Sequence, residues 1–124
     1  INHFFAMRSY LDAGLRPTIG CDAPTASCEA VRGLDGAVNR IDRKTGEVVG
    51  PCQRISMLEA IRCYTLNGAY ASFEDDIKGS IEVGKLADFT IFSQDILNMD
   101  PMNIVNVNVD YTIIDGKICY EREH

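Results

Sequence analysis

The dipeptide Asp115-Gly116 constrains the fold more than any other feature of the sequence, because it stands between two apolar runs. Over residues 105–113 every second residue is apolar or aromatic, which is the period of a half-buried strand, and residues 117–121 form the returning run. A type I′ turn needs positive φ at both central positions, and Asp-Gly meets this need. The tail is therefore predicted to be an antiparallel hairpin, with a further strand over 86–92.

The first part of the chain has a different pattern, that of a helix followed by a strand. Apolar residues at helical spacing predict a helix over about residues 3–13, and Gly14 is its natural stop. Residues 17–21 are short, apolar and bounded by Pro17, which predicts a buried strand. A helix, a tight loop and a buried strand make half of an α/β repeat, so this end of the chain is predicted to be α/β.

The clearest helix in the sequence begins at Ser56. Ser56 and Glu59 have the spacing of a capping box, in which each side chain satisfies a backbone N–H of the other residue. The apolar face that follows continues at helical spacing, so we predict one helix over 56–73. A shorter helix is predicted over 34–39, and residues 43–47 have the composition of an exposed turn.

The composition limits the classes of function. The chain has 124 residues, an apolar fraction of 46% and a net charge of −6, which fits one domain of ordinary size. The acidic balance and the lack of a basic stripe argue against nucleic acid and anionic membranes as partners. The start at Ile1 does not have the pattern of a signal peptide and suggests a chain entered partway through.

The five cysteines are odd in number and contain no C-x-x-C pair. A disulfide framework or a cysteine-type zinc site is therefore not expected. Thiols that stay reduced are typical of the cytoplasm, which is the predicted location.

Asp22 is the strongest candidate for a functional residue. It follows the predicted strand 17–21 directly, and in a (β/α)₈ barrel catalytic groups lie at the carboxyl ends of the strands. A carboxylate in that position can hold a metal or take a proton from metal-bound water. Many Asp residues after strands only cap the next turn, and the local sequence leaves both interpretations open.

Three segments resemble the amidohydrolase superfamily, in particular its branch of amidohydrolase family 3 proteins. They are G-C-D-A-P at 20–24, P-x-Q-R-I-S-x-x-E-A-x-R-x-Y-T-x-N-x-A-Y-A at 51–71, and K-G-S-I-E-V-G-K-L-A-D at 78–88. They occur in the order and spacing of that branch. The resemblance covers about residues 14–120.

The resemblance implies the fold and its division into domains. Residues 1–78 would be the end of a metal-dependent (β/α)₈ barrel, with its last helix, its eighth strand ending at Asp22, and further helices. Residues 79–124 would be the C-terminal strands of a small β-sandwich that both ends of the full chain build. The overall class is α/β.

The resemblance also implies the chemistry of the intact protein. It would be a metal-dependent hydrolase of non-peptide carbon–nitrogen bonds, amide or N-acyl, in a small-molecule substrate. The cofactor would be a divalent metal, usually zinc, that activates water. Asp22 would be both a metal-site residue and a catalytic residue that orients the water and transfers its proton. Cys21 stands where the family usually has Ser, which leaves a site role for its thiol open.

The other metal ligands of the family are missing from this chain. They are an H-x-H motif and histidines from middle strands, whereas this chain has only His3 and His124, neither in such a motif. A catalytic zinc normally takes three protein ligands, so the fragment alone is expected to bind no metal and to be inactive. The alternative hypothesis is an autonomous, non-catalytic protein-interaction module.

Three further expectations concern partners and structural residues. A strand at 17–21 without neighbours would expose its edge, so the fragment is expected to self-associate. The glycine-rich segment 78–88 lacks the Ser or Thr of a phosphate loop and is predicted to be a turn into the tail. Asp88 is predicted to bind backbone amides at a strand entrance, and Arg54 to anchor a helix start by a salt bridge.

Overall fold

A computed structural model describes residues 4–123, which form a helical half followed by a three-stranded sheet. The described helices are α1 Met7–Asp12, α2 Ala30–Val38, α3 Met57–Tyr64 and α4 Leu66–Ala71. The strands are β1 Phe89–Phe92, β2 Val109–Ile114 and β3 Lys117–Glu121. Two 3₁₀-helices lie at Pro51–Gln53 and Pro101–Asn106. None of the helices between residues 4 and 123 has the length and apolarity that a membrane crossing requires.

The start of α3 confirms the predicted capping box. The Ser56 hydroxyl accepts from the Glu59 N–H at 3.3 Å, and the Glu59 carboxylate accepts from the Ser56 N–H at 2.8 Å. The helix does not run to Phe73 as predicted, because the backbone breaks at Thr65 (φ −113°, ψ −85°). The Thr65 hydroxyl donates to the Ile61 carbonyl at 2.9 Å, a local bond that bends helices. The predicted single helix is therefore two helices.

The other helices differ from prediction mainly at their ends. Within the described residues α1 begins at Met7, and residue 3 of the predicted span lies outside them. Gly14 has φ +74° and stops the helix as expected, with the Leu15 N–H donating to the Tyr10 carbonyl at 3.0 Å. Helix α2 begins at Ala30, four residues before the predicted start of 34.

The hairpin is confirmed, with φ +50° at Asp115 and φ +74° at Gly116. The sheet has the order β1-β2-β3, and both pairs are antiparallel. The predicted strand start at 105 is wrong, because Pro101 begins a 3₁₀-helix that the Asp100 carboxylate caps at the Met102 N–H, 3.0 Å away. Strand β1 is shorter than the predicted 86–92.

Residues 17–21 do not form the predicted strand. The stretch is extended, but the backbone ladders that the structure describes all lie in the tail sheet, so it has no neighbouring strand within residues 4–123. A strand exists only through hydrogen bonds to a partner, and local sequence cannot supply one. The barrel portion of the predicted fold is not confirmed. The stretch is held instead by the Asn67 amide, which donates to the Pro17 carbonyl at 2.8 Å.

One hydrophobic core joins the helices to the tail. Val31 and Leu34 of α2 and Ala60 of α3 pack against Ile104 and Val107, and Ile104 is completely buried. The core thus contains residues from both predicted segments, 1–78 and 79–124. The boundary between these segments stays a prediction.

The segment 78–88 is a turn, as predicted. The Lys85 ammonium donates to the Ser80 hydroxyl at 2.7 Å and to the Asp75 carbonyl, which closes the loop. Gly79 has φ +92°, and a Cβ there would lie 2.6 Å from the Ala69 Cβ, so the backbone approaches α4 too closely for another residue.

Asp88 has the predicted role, and Arg54 does not. The Asp88 carboxylate accepts from the Asp115 N–H at 2.8 Å, which fixes the hairpin turn to the start of β1. Arg54 donates from Nε to the Asn39 carbonyl at 3.0 Å, and the structure shows no ion pair for it within residues 4–123. The carbonyl of Asn39, the C-cap residue of α2, takes the place of the expected carboxylate.

Candidate active site

Asp22 lies in an exposed turn at the end of the extended stretch. Its backbone has φ +52°, in the left-handed region, and its carbonyl accepts from the Thr25 N–H at 2.8 Å. Its side chain is exposed, and no hydrogen bond to its carboxylate is formed within residues 4–123. The carboxylate is therefore fully available to a ligand or to water.

A tyrosine from α3 packs against α2. The Tyr64 hydroxyl lies against Gly33 of α2 so closely that a Cβ at Gly33 would be 1.8 Å from it. Burial raises the pKa of Tyr64, and the charge of an ionised Cys21 raises it further. Gly33 and Tyr64 thus allow α2 and α3 to approach closely.

Sequence analysis gave no separate role to Tyr64 or Asn67, although both belong to the segment 51–71 that carries the family resemblance. Asn67 contacts the extended stretch at the Pro17 carbonyl. Tyr64 and Asn67 lie on either side of the helix break at Thr65, so their spacing does not by itself predict a common face.

The described residues do not fit a metal centre on their own. No group of three His, Cys, Asp or Glu residues that could hold an ion exists within the range 4–123. The two histidines considered as ligands, His3 and His124, lie outside the described residues. Cys21 is half-buried beside Asp22, and one thiol and one carboxylate fall short of the three protein ligands of a catalytic zinc.

All five cysteines lie within the described range, and none of them forms a disulfide. Cys63 is buried in the core, where burial raises the pKa of its thiol. The Asn67 amide lies 3.7 Å from its sulfur. The core packing gives Cys63 a structural role.

The arrangement of helices, extended stretch and small sheet matches part of a larger solved structure. A solved structure of Escherichia coli guanine deaminase matches 97% of this chain with a TM-score of 0.72 at 20% identity, over 31% of its own length. At that identity the likeness concerns the fold.

Sequence comparisons identify the family. A family model described as the amidohydrolase family matches residues 1–120. An N-substituted formamide deformylase of Arthrobacter pascens is 33% identical over 95% of the chain, and a putative amidohydrolase of Bacillus subtilis, YtcJ, is 31% identical over 95%. The chain belongs to the amidohydrolase family. It spans 22% and 23% of the lengths of these two relatives.

Proposed function

We propose that this chain is the C-terminal part of a longer, metal-dependent amidohydrolase that hydrolyses amide or N-acyl carbon–nitrogen bonds of a small molecule. The observation that carries the proposal is the family match over residues 1–120. The similarity to an N-substituted formamide deformylase supports a carbon–nitrogen bond as the site of cleavage. In this proposal α1 and the stretch 17–21 are the last helix and strand of the barrel.

The extended stretch 17–21 has no neighbouring strand within residues 4–123, which supports its assignment as a barrel strand. Ile19 packs against the core, and the Pro17 carbonyl accepts from Asn67, so the stretch has a defined place. Its remaining backbone groups have no ladder within residues 4–123. A stretch with a buried side and unused backbone donors fits a strand whose neighbours belong to another part of a longer protein.

Asp22 is the residue of this chain to which we assign catalysis. Its exposed carboxylate has all its lone pairs available, so it can accept a proton from an attacking water and return it to the departing nitrogen. We also propose it as one ligand of the metal, with zinc as the expected ion. The other ligands would come from residues outside 4–123, because none within that range accompanies it in sufficient number.

The coding sequence upstream of Ile1 tests the proposal directly. An H-x-H motif several hundred residues earlier would supply the missing ligands and support the enzyme. A start codon immediately before Ile1 would favour the alternative, an autonomous interaction module. We also propose the cytoplasm as the location, which the five cysteines without disulfides support.

The isolated 124-residue chain is expected to bind no stoichiometric zinc and to hydrolyse no N-acyl or N-formyl amine. The physical reason is that a catalytic zinc takes three protein ligands, and the described residues bring no such set together. Elemental analysis of the purified chain after exposure to zinc, with an amine-release assay, measures both quantities. The intact protein is the positive control. Stoichiometric zinc with turnover in the isolated chain would show the expectation to be wrong.

Self-association of the isolated chain is a separate expected result. The edge of residues 17–21, which has no strand partner within residues 4–123, and the adjoining Leu15, 57% exposed, favour pairing between copies. Light scattering over a range of concentrations should show a dimer. Thr18→Pro removes an N–H from this edge and should shift the equilibrium toward monomer, whereas Thr18→Val should not. A monomer at every concentration would contradict the expectation.

A further inference from the structure

A cleft of about 500 Å³ separates α1 from α3 and α4, away from the Asp22 turn. Three arginines line it, Arg8, Arg16 and Arg62, in a chain whose net charge is −6. Its size lies within the range of small-molecule sites, about 300–1,000 Å³. The concentration of positive charge in one hollow of an acidic protein indicates an anionic ligand.

One of the three arginines, Arg8, forms ion pairs with carboxylates of the protein itself. Arg8 donates to the Glu59 carboxylate at 2.8 Å and to the Asp12 carboxylate at 2.9 Å. Glu59 also accepts from the Ser56 N–H, so its charge is shared between the ion pair and the helix cap. This pair closes one side of the cleft and leaves ligand binding to the other two arginines.

The guanidinium groups of Arg16 and Arg62 have N–H donors that are not used within the described residues. The structure gives neither guanidinium a carboxylate or carbonyl acceptor within residues 4–123. Arg16 lies over the ring of Tyr70, with its Cζ 4.2 Å from the ring centroid, which orients the guanidinium plane. A planar guanidinium held by its face keeps its N–H edge free, and that edge matches a carboxylate.

Apolar space adjoins these cations. A second hollow of about 350 Å³ shares Leu15 and Arg16 with the cleft and is bounded by Tyr10 and Pro17. Leu11 and Leu66 supply further apolar surface inside the cleft itself. A ligand whose charged group binds the arginines could therefore place an apolar body against this adjoining surface.

We propose that this cleft binds a small monocarboxylate with an apolar body. The carboxylate binds Arg16 and Arg62, and the body lies along Leu15. The three arginines face two carboxylates of the cleft, Glu59 and Asp75, so the wall carries an excess of one positive charge and suits a monoanion.

Asp22 does not line the cleft. The proposal rests on the residues of the cleft and does not depend on the hydrolase assignment.

Titration of the ¹⁵N-labelled chain with 3-phenylpropionate, followed by NMR, tests the site. Two comparison ligands separate the contributions of the charge and of the apolar body to binding. The first, 3-phenylpropionamide, lacks the charge, and the second, acetate, lacks the apolar body. We expect saturable shifts at the amides of Leu15, Arg16 and Arg62 with 3-phenylpropionate, and binding at least about tenfold weaker for the amide, because charge-assisted bonds to guanidinium are the strong ones.

Arg62→Gln should weaken binding about tenfold, and Arg62→Lys should retain part of it, since the charge remains. Arg32→Gln is the matched control, because Arg32 is exposed on α2, pairs with Glu29 and does not line the cleft. Circular dichroism verifies that each variant is folded. Equal affinity for the acid and its amide, an equal effect of the two Gln variants, or shifts that never saturate would each overturn the proposal.

Discussion

Replacing Asp22 by Asn in the intact protein is expected to lower kcat/KM for an N-acyl substrate by about 10²–10⁴-fold, the contribution usual for a general acid–base group. The substitution keeps the shape of the side chain and removes its ability to take a proton. Asn also tolerates the positive φ of this position, and the side chain is exposed without hydrogen bonds within residues 4–123. The free energy of unfolding should therefore change by less than about 0.5 kcal/mol.

Steady-state kinetics, metal content and thermal unfolding together make this test decisive. Asp76→Asn is the matched control, since Asp76 is an exposed acid after α4 with no role in the proposal, and its kcat/KM should stay unchanged. Loss of metal in Asp22→Asn would assign Asp22 to the metal, and retained metal with lost turnover would assign it to proton transfer. A kcat/KM close to that of the unaltered protein would contradict both roles.

Features that depend on a few neighbouring residues were predictable from sequence. The Asp115-Gly116 turn and the Ser56–Glu59 capping box are confirmed because each is formed by backbone and side chains within four positions of one another. Gly14 stops α1 for the same reason, since only its own φ is at issue. Local chemistry is sufficient to specify such elements.

Features that depend on distant partners were not predictable in this way. The apolar pattern of 17–21 is that of a buried strand, yet a strand also needs a neighbour, which the described residues lack. The alternation over 105–113 includes Val107, and both Val107 and the preceding Ile104 are buried by packing against α2, so burial there does not imply a strand. Thr65 divides the long helix without changing its apolar periodicity.

The candidate site shows the same division. Asp22 was identified from its place after an apolar run and from a resemblance carried by its neighbours. Tyr64 and Gly33 are 31 positions apart and meet only through the packing of α2 on α3. Neither residue belongs to a pattern that indicates the contact, so the structure was needed to find it.

The largest expected change in stability concerns Asp35, a buried carboxylate on α2. It is 4% exposed and accepts from Arg43 Nε at 2.9 Å and from the Asn39 amide at 2.7 Å. Asn39 in turn donates to the Pro101 carbonyl at 2.8 Å. This network joins α2 to the 3₁₀-helix that begins the tail. Asp35 therefore supports the contact between α2 and the 3₁₀-helix Pro101–Asn106.

Asp35→Ala is expected to lower the free energy of unfolding by about 3 kcal/mol, measured by urea denaturation. Removing one partner of a buried pair typically costs about 3–5 kcal/mol, and the lower end applies because Arg43, 38% exposed, can turn toward water. Glu29→Ala is the matched control at the N-cap of the same helix, because it removes only an exposed ion pair to Arg32 and should change stability far less. Equal losses in the two variants would show that the buried network is not the cause.

The pH dependence of unfolding provides an independent measurement of the same network. Burial alone would raise the pKa of Asp35, but hydrogen bonds from Arg43 and Asn39 outweigh it and hold the pKa below the ordinary value of 3.8. A carboxylate whose pKa is lowered in the folded state stabilises the fold at pH values above its ordinary pKa. This stabilisation is lost as the pH falls through the pKa of the folded state. The difference in unfolding free energy between the unaltered chain and Asp35→Asn should therefore be constant above pH 5 or so and shrink below about pH 4. If the unfolding free energies of the two proteins differ by the same amount at every pH in this range, the Asp35 charge contributes nothing to the contact between α2 and the tail.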